Sequence, residues 1–198
     1  MAYVPCTLAS VINNIQENCN NPAMDGVKVL GIAIAKNNIT AAPFGATQST
    51  ANCVAAITLK AGAKVIAIEA GGENAWADSG FEFDPATKKY TKNANFVAAD
   101  YGAVISSEVL DPMAKDRDGF VVILQRKDVR GMGSFVIVGL EKGATVSSMT
   151  QNLTDSATSG CASLVLTETG ANKAEVNLFD TDYTTTKAEF DRLLGLSY

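Results

Sequence analysis

The chain has 198 residues, 47% hydrophobic and 19% charged, with 16 basic against 21 acidic residues and a net charge of −5. This suffices for one sizeable core, and the sparse, scattered basic residues argue against a tight grip on nucleic-acid phosphates. There is no histidine, so Ser-His-Asp and Cys-His catalysis and the usual mixed Cys/His zinc sites are excluded within this chain.

The first element is predicted as a short helix. Leu8, Val11, Ile12 and Ile15 form one apolar stripe, Thr7 can cap it, and Asn20-Asn21-Pro22 stops it. The N-terminus has no basic region followed by an apolar stretch, so no signal peptide is expected. No run reaches the roughly 18 apolar residues of a membrane span. After the Asp25-Gly26 turn, Val27–Ala35 is β-branched and apolar on nearly both faces, as a strand covered on both sides would be. Gly31 within it marks a bulge or a close approach. Residues 36–52 read mostly as loop, and two strands follow, Val54–Leu59 and Lys64–Ala70.

Residues 71–80 are the most irregular stretch, with Gly71-Gly72 freeing the backbone. The only tryptophan, Trp76, lies in this polar loop. It either folds back on its own core or anchors a neighbouring subunit, a role in which Trp is enriched. Gly71, Gly72, Trp76 and Phe81 are therefore the candidate inter-subunit contact. Phe81–Asp84 and Lys88–Thr91 alternate cleanly around Asp84-Pro85-Ala86-Thr87 and predict a hairpin. Residues 96–110 read as one long or two short strands. Gly119–Lys127 and Ser134–Glu141 form a second hairpin over 128–133, and Lys142-Gly143 leads into a strand over Ala144–Thr150. Cys161–Glu168 and Glu175–Asp180 read as a third hairpin. Thr186 and Glu189 have capping-box spacing, and Phe190, Leu193 and Leu194 give the last helix its apolar stripe. The expected fold is one mainly β (α+β) domain over residues 1–198, an antiparallel sandwich or open barrel with a short helix at each end.

Motifs that carry chemistry are weak. Cys6, Cys19, Cys53 and Cys161 never reach C-x-x-C spacing and read as reduced, buried thiols. The sequons at Asn38 and Asn152 are coincidental without secretion. Gly131-Met132-Gly133 lies between two strands and reads as a turn, and Asp116-Arg117-Asp118-Gly119 lacks the ligands of a calcium loop. Asp78-Ser79-Gly80 matches the aspartic-protease triplet once, in a predicted loop rather than after an apolar strand, so Asp78 is the one suspect for a His-free hydrolase. No catalytic, cofactor-binding or metal-binding residue is expected, and no cofactor.

An N-terminal amphipathic helix leads into NNPAMDGVKVLGIAIA, with FVVILQRKDVRGMGSFVIVGLEKGATVSS and CASLVLTETGANKAEVNLFD later in the chain. This order resembles the tail-tube-type structural proteins of bacteriophages over roughly two-thirds of the chain, through motifs that are each also ordinary hairpin signals. The loop around Asp78 and the C-terminal helix fall outside the pattern. The resemblance implies a non-enzymatic virion protein, made in the host cytoplasm and built into the tail. Its copies would form a ring, usually six-fold, and rings would stack into a tube. Strands from every copy would join one β-barrel through which DNA passes transiently and non-specifically. Its partners would be copies of itself and other virion proteins, with no membrane. A head-completion, connector or capsid-decoration protein is the alternative within the same class, and a monomeric β-sandwich binding module is a third. The residues add an argument of their own. Val27–Ala35, Phe120–Leu124 and Phe135–Leu140 are apolar on both faces, and two short helices shield only part of a sheet, so the remainder is expected to need a neighbouring subunit.

Overall fold

Val27–Ala35, the run expected to be covered on both sides, forms β1 inside a six-stranded sheet. The computed structural model describes residues 27–69, 77–98, 103–127 and 131–195. The first helix and the contact residues Gly71, Gly72 and Trp76 lie outside these residues, as do Cys6 and Cys19. The six-stranded sheet has the order β3 (Cys53–Val54), β12 (Val176–Leu178), β9 (Phe135–Val138), β8 (Phe120–Arg126), β1 and β5 (Val65–Glu69). Its pairings are antiparallel except β12 with β3. A second, wholly antiparallel sheet has the order β10 (Thr145–Gln151), β11 (Ala162–Ala171), β7 (Lys89–Ala98) and β6 (Ala77–Asp84). A small ribbon pairs β2 (Ile39–Ala41) with β4 (Thr58–Leu59). The fold is mainly β, with several antiparallel sheets and few short helices.

Alternation along the strands assigns two cores to the two faces of the larger sheet. Ala33, Phe120, Val122, Leu124 and Val138 face the second sheet and meet Ala94, Phe96, Leu164 and Leu166. Ile32, Ile34, Val121, Ile123, Phe135 and Ile137 point the other way and pack with Val54, Ile57, Val176, Leu178, Phe190 and Leu193. Each fully buried aliphatic side chain contributes about 1.5–3 kcal/mol relative to exposure. Gly31 meets both expectations made of it. The pairing with β8 shifts register between Val27 and Gly31. A Cβ there would lie 2.6 Å from Leu124 Cδ2 and 3.2 Å from the Ile123 carbonyl oxygen.

The C-terminal helix α3 spans Tyr183–Leu194 and covers the second core. Its cap is Asp182, one turn before the Thr186 predicted from the sequence. The Asp182 carboxylate accepts the Thr185 N–H at 2.8 Å, while Thr186 is buried and its hydroxyl donates to the Asp182 carbonyl. Ile57 is tied to the helix at both backbone atoms: its N–H donates to Glu189 Oε1 at 3.0 Å, and its carbonyl accepts from Arg192 at 2.7 Å.

Several expectations are corrected. Residues 96–110 do not continue as strand. β7 ends at Ala98, and α1 (Ala103–Ile105) runs through a π-helical turn, Ser106–Leu110, into α2 (Asp111–Lys115). Ile105, Val109, Leu110 and Met113 fall on one helical face against the inter-sheet core, which outweighs their β-branched content. Residues 54–59 are not one strand, since β3 and β4 join different partners. The third hairpin does not form. β11 alternates and belongs to the second sheet, whereas Val176, Asn177 and Leu178 are all buried and complete the first. β10 likewise leaves β9 and pairs with β11. Gly139, at φ 91°, permits that departure: a Cβ there would lie 2.0 Å from the Phe120 carbonyl oxygen. Asp78 sits within β6, not in a loop. Finally, the second apolar face of the larger sheet is covered within the chain by α3 and the segment around Val54 and Ile57. The expectation that it needs a neighbouring subunit loses that premise.

Candidate functional site

The β6–β7 hairpin runs past the core. Its register places Phe81 opposite Lys92 and Phe83 opposite Tyr90, on the same face as the buried Ala77, Ala94 and Phe96. That face is apolar by alternation, but the larger sheet does not extend under its far end. Phe81 and Phe83 are left 50% and 48% exposed. Tyr90 gathers both rings, Phe81 edge-on at 5.9 Å and Phe83 tilted at 5.2 Å, and Lys88 Nζ lies 5.8 Å from the Phe83 centroid. The turn is rigidly made. Asp84 accepts the Thr87 hydroxyl at 2.6 Å and the Ala86 N–H at 2.9 Å, and these bonds hold its carboxyl below the usual range. Clustered exposed aromatics on a regular hairpin mark a contact surface more strongly than scattered ones. Of the four predicted contact residues, Phe81 is thus placed on an exposed patch. Phe83 and Tyr90, which sequence reasoning left out, share it.

Behind the patch lies a buried group of charges that the sequence reading missed. Lys92 and Glu168 face each other directly across β7 and β11. Lys92 Nζ lies 3.2 Å from Glu168 and 3.6 Å from Glu141, with Lys92 2% and Glu168 0% exposed. Glu168 also accepts the backbone N–H groups of Gly139, Glu141 and Lys142 at 3.0, 2.9 and 2.7 Å. Lys36 Nζ donates to the Leu140 carbonyl in the same turn. Burial pushes the Lys36 ammonium below its usual range, against the opposing pull of Glu168 and Glu141. At Glu141, desolvation acts upward. Hydrogen bonds from the Asn172 backbone and side chain and from the Lys173 N–H, with the Lys92 charge, outweigh it and hold the carboxyl below its usual range. A carboxylate whose oxygens already receive three N–H groups and an ammonium is a clamp, not an available base. The signal was in the alternation: Lys92 shares a strand face with Tyr90, Ala94 and Phe96, and Glu168 with Leu164 and Leu166.

A cleft of about 180 Å³ opens beside Phe81, lined by Lys92, Val136, Val138 and the Arg126–Glu175 ion pair at 2.6 Å. The outward face of the second sheet is polar, acidic along β6 at Asp78, Glu82 and Asp84 and rich in hydroxyls and amides beyond it. Ser147, Thr167 and Asn93 form a ladder across three strands, with 2.8 Å between the hydroxyls and 2.9 Å from Thr167 to Asn93. Asp78 is exposed on the edge strand β6, opposite Asn95, and accepts its own neighbour's N–H from Ser79 at 2.7 Å. Asp116 accepts the N–H groups of Asp118 and Gly119, so that segment is the turn expected of it. Cys53 and Cys161 are buried thiols. Among the described residues, no three His, Cys, Asp or Glu side chains are grouped to hold a metal, and no helix is long and apolar enough to cross a membrane. No family model matches this chain, and no curated protein or solved structure matches it.

Proposed function

We propose that this chain is a self-assembling structural protein of a phage virion, of the tail-tube type, and that it works by forming a wall rather than by catalysis. The observation that carries this reading is the second sheet. Its edge strands β6 and β10 have no further partner among the described residues, and its outward face is lined with hydroxyls and amides. Open edges invite pairing with another chain, and ring closure is the arrangement that removes them. Hydroxyls and amides, with the acidic Asp78, Glu82 and Asp84 on β6, offer no attraction to phosphates, which suits a duct that DNA must pass without sticking. The exposed Phe81 and Phe83, gathered by the half-buried Tyr90, supply an apolar contact at one end of the same sheet. A head-completion or decoration protein is the second reading. It is favoured by the larger sheet, whose two faces are both covered within one chain, as a subunit that is fully folded before it assembles requires.

Light scattering and negative-stain microscopy of the purified full chain test both. Stacked rings or tubes are expected. Isolated rings or decorated shells, formed only with a capsid present, favour the second reading. A monomer at high concentration, alone and with its native partner proteins, overturns assembly altogether.

A further inference from the structure

At the end of the hairpin, one amide is held between an amine and a carboxylate. Lys89 Nζ donates to Asn172 Oδ1. On the other side, Asn172 Nδ2 donates to Glu141 Oε2 at 2.9 Å, and the Asn172 backbone N–H reaches the same oxygen at 3.0 Å. The backbone sets this meeting. Ala171 is opposite Tyr90 in the β11–β7 register, so the next residue on one strand faces the preceding residue on the other, Asn172 against Lys89. Glu141 is itself fixed by the Lys173 N–H at 3.1 Å and by Lys92 at 3.6 Å, and its side chain is only 9% exposed. The amide orientation follows from its partners, carbonyl to the cation and NH₂ to the carboxylate; the flipped amide would oppose both.

We propose that Lys89 and Asn172 are an isopeptide pair, joined by a side-chain amide bond whose formation Glu141 assists. The lone pair of the neutral Lys89 amine attacks Asn172 Cγ, which lies about 1.2 Å beyond the oxygen that Nζ already contacts. Collapse of the tetrahedral adduct forms the Cγ–Nζ bond and breaks Cγ–Nδ2. The proton lost by Nζ passes through solvent at this exposed contact to Nδ2, which leaves as ammonia, while Glu141 Oε2 holds the Asn172 amide in place. No oxidant or other reactant is consumed. Attack requires the unprotonated amine, so alkaline incubation favours the bond. The two residues are 83 apart in the chain, and the bond would fasten the turn end of the aromatic hairpin to the segment that crosses from the second sheet to the first. This holds whether or not the chain builds a tube.

Intact-mass spectrometry of the full chain, fresh and after incubation at about pH 9.5, tests it. The expected product is lighter by about 17 Da, the mass of ammonia, and yields a branched tryptic peptide containing both Lys89 and Asn172. Lys89→Arg and Asn172→Ala should keep full mass. Glu141→Ala, checked for folding by circular dichroism, should slow the reaction about a hundredfold by freeing the Asn172 amide, and Glu141→Gln, which keeps an accepting oxygen, should recover part of the rate. Folded wild-type protein that stays at full mass overturns the proposal. So does a 17-Da loss that persists in Lys89→Arg, because that marks a succinimide at Asn172 instead.

Discussion

The two sheets solve burial in opposite ways. In the larger sheet, β8 and β9 are buried on both faces and nearly every side chain is aliphatic or aromatic. Apolar packing fills both its faces, and α3 closes the side that the second sheet leaves open. The second sheet buries one face only. It carries Lys92 and Glu168 on that face and then runs beyond the core with Phe81 and Phe83 uncovered. The first design is what stability alone produces. The second retains a buried ion pair, which packs no better than a hydrophobic pair would, and an exposed apolar end, which costs solubility. Features that local stability does not explain are concentrated in the sheet to which we assign the contacts.

Breaking the ion pair should separate the two sheets most sharply. Glu168→Ala leaves Lys92 only the longer contact with Glu141, at 3.6 Å, and frees three turn N–H groups, so it should cost about 3–5 kcal/mol in urea unfolding. A loss under about 1 kcal/mol would show that the cluster is not the brace described here. In the larger sheet, the comparable test is steric. Gly31→Ala places a methyl 2.6 Å from Leu124 Cδ2 and should cost about 1–3 kcal/mol. Leu124→Ala in the same chain should recover part of that overpacking, a coupling that a double-mutant cycle measures.

Acid should act on the second sheet through Glu141. Its folded carboxyl is held below its ordinary value of 4.5, so the stability it contributes is fully present above that pH and is lost as pH falls below it. Glu141→Gln should therefore flatten the acid limb of a pH–stability curve below about 4.5, with little change in its slope between pH 6 and 8. An unchanged acid limb would remove Glu141 from the clamp. The smallest effect on folding should come from the patch: Phe83→Ala should shift stability by less than about 1 kcal/mol. Its effect on particle size should be far larger, and equal assembly by both proteins would leave the patch without a role.

The sequence by itself determined the class of fold and much of its local chemistry. Strict alternation marked the Phe81–Asp84 hairpin, two-sided apolar runs marked β1, β8 and β9, and Gly31 announced a close approach, because each of these signals is carried by neighbouring residues in the chain. The partners of those elements were decided only in the tertiary structure. Glu168 and Asn177 stand close in sequence and read as two arms of one hairpin, yet β11 and β12 entered different sheets, since one strand needed a wet face and the other needed none. The same holds for the helical stretch over 103–115, where β-branched residues yielded to an apolar face packed on the core. It holds most for the site. Lys36, Lys89, Lys92, Glu141, Glu168 and Asn172 come from four separate parts of the chain, and each is an ordinary surface residue until the sheets bring them together. Charge pairing and side-chain chemistry depend on distances across strands, and no spacing along the chain records them.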